Sequence, residues 1–291
     1  MCGFIGRISV TGAPAEELRR GLPWICRRGP DSQKIWSSSD RRVGILFCRL
    51  AIVDRDPRAH QPLSRADLGA TVGMVGEIYN YRELRETFRD YPFQTDSDTE
   101  MILAAYATHG TEGFRLLKGM YAFVLVDERA KKIFLIRDPI GKKPLFIARW
   151  GQSVLFGSSV LPLVAANGKK VELDASQAPY YWKHTFIYPG TSAIAGAAPV
   201  LPGQIVELDW SGGNVRDSRC EPEAARLYDG EPLDRVGKNL GSLIQTAVER
   251  RLANNPSPVV LLSGGVDSTL VTSVVEPLCR QNGSLPPLRA L

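Results

Sequence analysis

Between residues 1 and about 207 the apolar positions fall in short runs closed by turn residues, the pattern of half-buried strands. The runs lie at 4–10, 42–47, 50–53, 71–75, 120–126, 132–137, 145–148 and 153–157. Helical spacing is clearest at 82–88 and 98–109, the second opened by a Ser/Asp-rich cap. Two pairs of strands flank short polar turns, Asp127-Glu128-Arg129-Ala130-Lys131 and Arg149-Trp150-Gly151-Gln152, and therefore read as antiparallel hairpins. These elements predict a mixed α/β domain with large, partly antiparallel sheets.

The pattern changes after 207. Residues 208–235 are rich in Gly, Asp, Glu, Arg and Pro and read as a linker. A second domain, 236–291, then opens with a helix at 236–252 that places Leu240, Leu243, Ile244, Ala247, Val248 and Leu252 on one face. A short strand at 259–262 runs into Ser263-Gly264-Gly265-Val266-Asp267-Ser268 and a helix at 268–279, and 285–291 reads as the approach to another strand. A doubly wound nucleotide domain needs several more strand–helix units, so this second domain reads as incomplete.

Composition narrows the class. The chain has 291 residues, 44% hydrophobic and 23% charged, enough for one large or two ordinary domains. Its formal charge of +5 comes from scattered basic pairs such as Arg27-Arg28 and Arg250-Arg251, with no stripe suited to nucleic acid. No run approaches the roughly 18 apolar residues of a membrane helix and no leader pattern is evident, so a cytoplasmic protein is expected. The five cysteines are widely spaced and lack a C-x-x-C, which argues against disulfides and structural zinc.

Two places carry chemistry. Cys2 follows the initiator methionine, and removal of Met1 would give it a thiol and a free α-amine on one residue. An α-amine with a pKa of about 8 can take the thiol's proton, so no histidine is needed. The 263–268 loop, set between a strand and a helix, can close backbone N–H groups and serine hydroxyls around pyrophosphate. It lacks the G-K-[ST] of a Walker loop, and Asp267 suits Mg²⁺ or loop fixation rather than phosphate.

Eight motifs then fall into one order. They are Met1-Cys2-Gly3, Arg28-Gly29-Pro30-Asp31, Arg49-Leu50-Ala51-Ile52-Val53-Asp54, His60-Gln61-Pro62-Leu63, Gly76-Glu77-Ile78-Tyr79-Asn80, Asp96-Ser97-Asp98-Thr99-Glu100, the run from Arg137-Asp138 to Pro144-Leu145, and the 263–268 loop. In order and spacing they resemble the glutamine-hydrolysing asparagine synthetases. The resemblance implies an α/β chain: an α+β class II glutamine amidotransferase domain of N-terminal nucleophile hydrolase fold, in four αββα layers. The start of an α/β doubly wound ATP-pyrophosphatase domain follows it.

The resemblance also assigns roles. Cys2 would attack the glutamine side-chain amide and form a glutamyl thioester. Arg49 would clamp the α-carboxylate, Glu77 and Asp98 would receive the α-ammonium, and Leu50, Ala51, Ile52 and Val53 would line the pocket. Gly76 would present its N–H to the oxyanion. Leu262, Ser263, Gly264, Gly265, Asp267 and Ser268 would hold ATP, with Asp267 on Mg²⁺, to activate a carboxylate that is aspartate by default. A homodimer or a second chain completing the synthetase domain is the partner expected.

One departure bears on activity. The family's asparagine before Gly76, whose amide helps form the oxyanion hole, is Val75 here. Losing such a donor costs on the order of 10²–10³ in kcat. Two alternatives follow, a stand-alone glutaminase and a non-catalytic regulator that binds glutamine. Cys48, beside the pocket, is expected to be a buried, inert thiol.

Overall fold

A computed structural model of the chain describes residues 2–9, 12, 14–219, 232–253, 258–281 and 289–290. Met1, most of the second half of the expected linker (220–231), and 285–288 and 291 of the final expected strand lie outside the described residues.

The chain divides into two compact units, 1–222 and 223–291. In chain order the first holds β1 (Gly3–Ile8), α1 (Pro14–Arg19), α2 (Leu22–Ile25), β2 (Ser32–Ser37), β3 (Val43–Arg49), β4 (Leu63–Arg65) and β5 (Ala70–Ile78). Next come α3 (Tyr81–Thr87), α4 (Glu100–His109), β6 (Gly119–Asp127), β7 (Lys132–Arg137), β8 (Phe146–Trp150) and β9 (Ser153–Gly157). It closes with α5 (Val160–Asn167), α6 (Ala178–His184), β10 (Ala197–Pro199), β11 (Gln204–Asp209) and β12 (Asn214–Arg219).

Two six-stranded sheets result, ordered β10-β8-β9-β1-β3-β2 and β12-β11-β7-β6-β5-β4. Every pairing within them is antiparallel, including the two hairpins β6–β7 and β8–β9. Because strand side chains alternate, each sheet has two apolar faces. Phe4, Ile45, Phe47 and Phe156 of the first sheet meet Val75, Val124, Leu135 and Val206 of the second. The opposite face of the first sheet, with Ile5, Leu46 and Leu155, packs on Leu18, Ile25 and Leu163 from α1, α2 and α5. Met74, Phe123 and Phe134 of the second sheet pack on Leu84, Ile102 and Leu103 from α3 and α4. The layers are therefore helix, sheet, sheet, helix.

The apolar run 50–53 is not a strand. It curls instead around the Arg49 guanidinium, whose Nη2 donates to the Val53 and Asp54 carbonyls at 3.1 and 2.5 Å. The Ala51 N–H is taken by Asp31 Oδ2 at 2.7 Å. The boundary at 207 is also displaced: β12, inside the stretch read as a linker, pairs with β11, and the first unit runs to Pro222.

The second unit holds α7 (Leu233–Leu252), β13 (Val259–Val260), α8 (Val266–Gln281) and β14 (Arg289–Ala290). The β13–β14 pairing is parallel across α8, the β-α-β pattern of a wound sheet. Leu240, Leu243, Leu261 and Val266 are exposed while Val275 and Cys279 are buried.

Candidate active site

Cys2 stands at the start of β1, a strand flanked on both sides by β3 and β9. Its entry is fixed by Ser158, whose Oγ accepts the Phe4 N–H at 3.1 Å while its carbonyl accepts Arg28 Nη1 at 3.2 Å. The Cys2 sulfur lies against Leu50, accepting that residue's N–H at 3.3 Å. Burial pushes the thiol pKa up, and the Leu50 N–H and the Arg49 charge oppose that shift. While Met1 is attached, the nitrogen of Cys2 is an amide and has no base character.

The neighbouring motif explains itself sterically. A Cβ on Gly29 would collide with the Cys48 carbonyl oxygen, so only glycine lets this turn lie on β3. Asp31 then ties down both Arg49, through its own N–H at 3.0 Å to the Arg49 carbonyl, and Ala51. Cys48 is fully buried and its thiol is pushed up to about 11, chiefly by that burial.

Cys2 shares a cavity with Arg49, Leu50, Ile52, Val53, Gly76, Glu77 and Asp98. Arg49 is only 2% exposed, and its Nη1 is buried with no hydrogen-bond partner. A guanidinium with one edge spent on backbone carbonyls and the other unmatched is prepared for a carboxylate. Asp98, at the entry to α4, accepts the Ile78 N–H at 3.0 Å and is 5% exposed. Burial is the main reason its pKa rises to about 7, with Glu77 adding to the rise and Arg49 opposing it. Gly76 has φ +138 and would drive a Cβ into the Met120 carbonyl, so glycine is required there.

Ala51 and Val75 do not line this cavity. Ala51 takes part through its backbone, and Val75 is fully buried in the apolar layer between the sheets, against which Cys2 also packs. The cavity wall adds residues that had no assigned role: Gln61, Met74, Ser97, Thr99, Met120 and Lys143. Gln61 bridges two walls, donating to Thr99 Oγ1 at 3.1 Å and accepting the Met74 N–H at 2.6 Å. Its motif neighbours were visible in the sequence, but a side chain joining β5 to the α4 entry was not.

Comparison with known proteins now decides the family. Residues 1–218 match the model of the glutamine amidotransferase domain, and 239–287 match that of asparagine synthase. The chain belongs to the glutamine amidotransferases of the asparagine synthetase family. It is 31% identical to asparagine synthetase [glutamine-hydrolyzing] 1 of Bacillus subtilis (strain 168), over 95% of this chain and 44% of that protein. To asparagine synthetase [glutamine-hydrolyzing] 3 of Arabidopsis thaliana it is 34% identical, over 94% of this chain and 42% of the relative. The amidotransferase thus spans less than half the length of these relatives. In fold it resembles the B. subtilis glutamine phosphoribosylpyrophosphate amidotransferase complexed with ADP and GMP, with TM-score 0.58 at 17% identity over 94% of this chain and 64% of that one.

The second unit has its own cavity, between α7, β13 and α8, to which Asp267 and Ser268 contribute but Leu262, Ser263, Gly264 and Gly265 do not. The 263–268 loop is ordered by its serines, Ser263 Oγ lying 3.1 Å from Ser268 Oγ, which also donates to the Gly265 carbonyl at 3.1 Å. Gly264 has φ +80, and α8 begins at Val266, so the loop meets a helix N-terminus where anionic oxygens are favoured. That donor set fits a polyphosphate. Asp267 is a single carboxylate, and among the described residues no group of three metal-ligating side chains surrounds it. No helix among the described residues is long and apolar enough to cross a membrane.

The electrostatics of the first cavity give a pH dependence. An amino acid whose α-ammonium rested on Asp98 would need that carboxyl ionised, so its KM would fall as pH rises through about 7, and Asp98→Asn would flatten that profile. The sign for stability is opposite. A carboxyl raised above its unfolded value makes the ligand-free protein less stable as pH rises from about 4 to above 7. Asp98→Asn should therefore unfold at a higher temperature than the parent at pH 8.

Proposed function

We propose that the amidotransferase hydrolyses glutamine at Cys2 and passes the ammonia to a carboxylate activated by ATP, by default aspartate. The observation that carries the first half is the meeting, in one cavity, of the Cys2 thiol with the unmatched Nη1 of Arg49 and the Asp98 carboxyl. A zwitterion held with its carboxylate on Arg49 and its ammonium on Asp98 and Glu77 can extend its side-chain amide toward the sulfur. Glutamine carries such an amide.

The chemistry then follows from the residues. The α-amine of Cys2, freed by loss of Met1, takes the thiol proton, and the thiolate attacks the amide carbon. The Gly76 N–H receives charge on the carbonyl oxygen, and the same amine, now an ammonium, protonates the departing ammonia. Water releases glutamate from the thioester. For the second half, support comes from the asparagine synthase match and the donor-rich 263–268 loop. ATP, when bound, would supply activation of the acceptor carboxylate by adenylation; Leu262, Ser263, Gly264, Gly265 and Ser268 would hold it, and Asp267 would hold an Mg²⁺.

One observation favours a second reading. Val75 puts methyl groups where the family carries an amide donor, which suits glutamine binding without turnover. Glutamate release by the purified chain separates the two, with Met1 removal verified by intact mass. The proposal expects turnover that Cys2→Ala abolishes and that an extra residue ahead of Cys2 silences. Glutamine-induced thermal stabilisation without glutamate release from a processed chain would establish the binding reading instead.

A further inference from the structure

Val75 leaves the oxyanion one donor short, yet the wall of the cavity holds a cation that the reaction as described does not use. Lys143 lines the same cavity as Cys2 and Gly76 and is 9% exposed. Among the described residues, it and Arg49 are the cations of that wall.

Its position follows from the backbone. The Lys143 N–H donates to Asp138 Oδ2 at 3.0 Å, and the same oxygen accepts the Tyr121 N–H at 3.3 Å. Tyr121 is the register partner of Gly76 across β5 and β6. Arg137 Nε holds the Lys143 carbonyl at 2.8 Å, and Gly141, at φ +71, makes the turn. Asp138 is itself 1% exposed, so the turn that carries Lys143 is locked to the strand pair that presents Gly76. Burial, and after it the Lys142 and Arg28 charges, weaken the hold of Lys143 on its proton, whereas Asp138 and the Cys2 sulfur strengthen it.

We propose that Lys143 is a catalytic residue, donating an N–H hydrogen bond to the oxyanion formed at Cys2 in place of the amide that Val75 lacks. The inference rests on glutamine hydrolysis at Cys2. As the sulfur–carbon bond forms, the carbonyl π pair moves onto oxygen, where Lys143 and the Gly76 N–H receive it. Lys143 keeps its proton throughout. The pair returns to carbon as the carbon–nitrogen bond breaks, and the leaving nitrogen takes its proton from the Cys2 ammonium.

The test is Lys143→Met and Lys143→Arg, each made in the parent and in the Val75→Asn background. With Val75 present, Lys143→Met should lower kcat by about 10²-fold with little change in KM, and Lys143→Arg should retain most of the rate. In the Val75→Asn background the loss should shrink to less than about tenfold, because the restored amide shares the charge. Where Val75→Asn itself raises kcat, so that its amide reaches the oxyanion, equal losses in both backgrounds would mean a structural role and overturn the assignment.

A second readout needs no turnover. Glutamate γ-semialdehyde can add the Cys2 sulfur, its proton passing to the Cys2 amine, to form a hemithioacetal oxyanion, whereas norvaline, with its uncharged alkyl side chain, cannot. Lys143→Met should weaken binding of the aldehyde by about tenfold or more and leave norvaline binding unchanged, since only the adduct places negative charge beside Lys143. Equal weakening of both ligands overturns the role of Lys143. Aldehyde binding that Cys2→Ala does not weaken would instead overturn the Cys2 chemistry itself.

Discussion

Arg49→Leu is expected to reduce kcat/KM for glutamine by about 10²-fold or more, through loss of a charged, two-point contact with the α-carboxylate. The size follows from what the guanidinium does at once. Its Nη2 satisfies the Val53 and Asp54 carbonyls and shapes the 50–53 loop, while Nη1 stands unmatched in the cavity wall. Removing the group abolishes the anion site and strips two carbonyls of their donor, so a folding defect is part of the expected result. Arg49→Lys separates the two effects. A lysine restores positive charge but cannot make both sets of contacts, so KM should rise steeply while kcat changes little. Thermal unfolding of both variants, with and without glutamine, checks this: glutamine should stabilise the parent and lose most of that effect in the lysine variant. A lysine variant with parental KM would show that the carboxylate lies elsewhere.

Val75→Asn is expected to raise kcat by about 10- to 100-fold, approaching the value of one oxyanion donor. The same change places an amide where Val75 is 0% exposed, between the sheets and among Phe4, Phe47 and Val124. Stability should therefore fall by about 1–3 kcal/mol unless the amide reaches the oxyanion side. Activity and denaturation midpoint, measured together, should move in opposite directions. A fall in stability with no gain in rate would show that the amide points into the apolar layer, and that position 75 is not part of the oxyanion hole.

How far the sequence could reveal this arrangement depended on burial. The interior strands β1, β3, β5, β6 and β7 were legible because both faces are apolar. All four edge strands, β2, β4, β10 and β12, were missed, as was β11. An edge strand such as Asn214–Arg219 is hydrogen-bonded on one side only and carries polar residues, so its composition resembles a loop. The error at 50–53 is the converse: an apolar run that looks like a strand has its backbone groups taken by Asp31 and Arg49 instead. At the site, Cys2, Arg49, Glu77 and Asp98 could be named from motifs. Gln61 and Lys143 sat within quoted motifs without a role, because what they do depends on β5 meeting the α4 entry and on Asp138 meeting Tyr121. Those are contacts of register and tertiary packing, which local spacing does not encode.

The central place of β1 in its sheet sets an order of events during synthesis. β3, which pairs with one edge of β1, is complete at Arg49, whereas the other edge is filled by β9, which ends at Gly157. At about 5–20 residues per second, that neighbour is made roughly 8–30 s after synthesis of the first residues. The proposed chemistry requires removal of Met1, and until β9 is made the strand behind that terminus has one unpaired edge. A nascent chain that closes its sheet before the peptidase arrives would fold with its base still locked in an amide bond, correctly shaped and chemically silent.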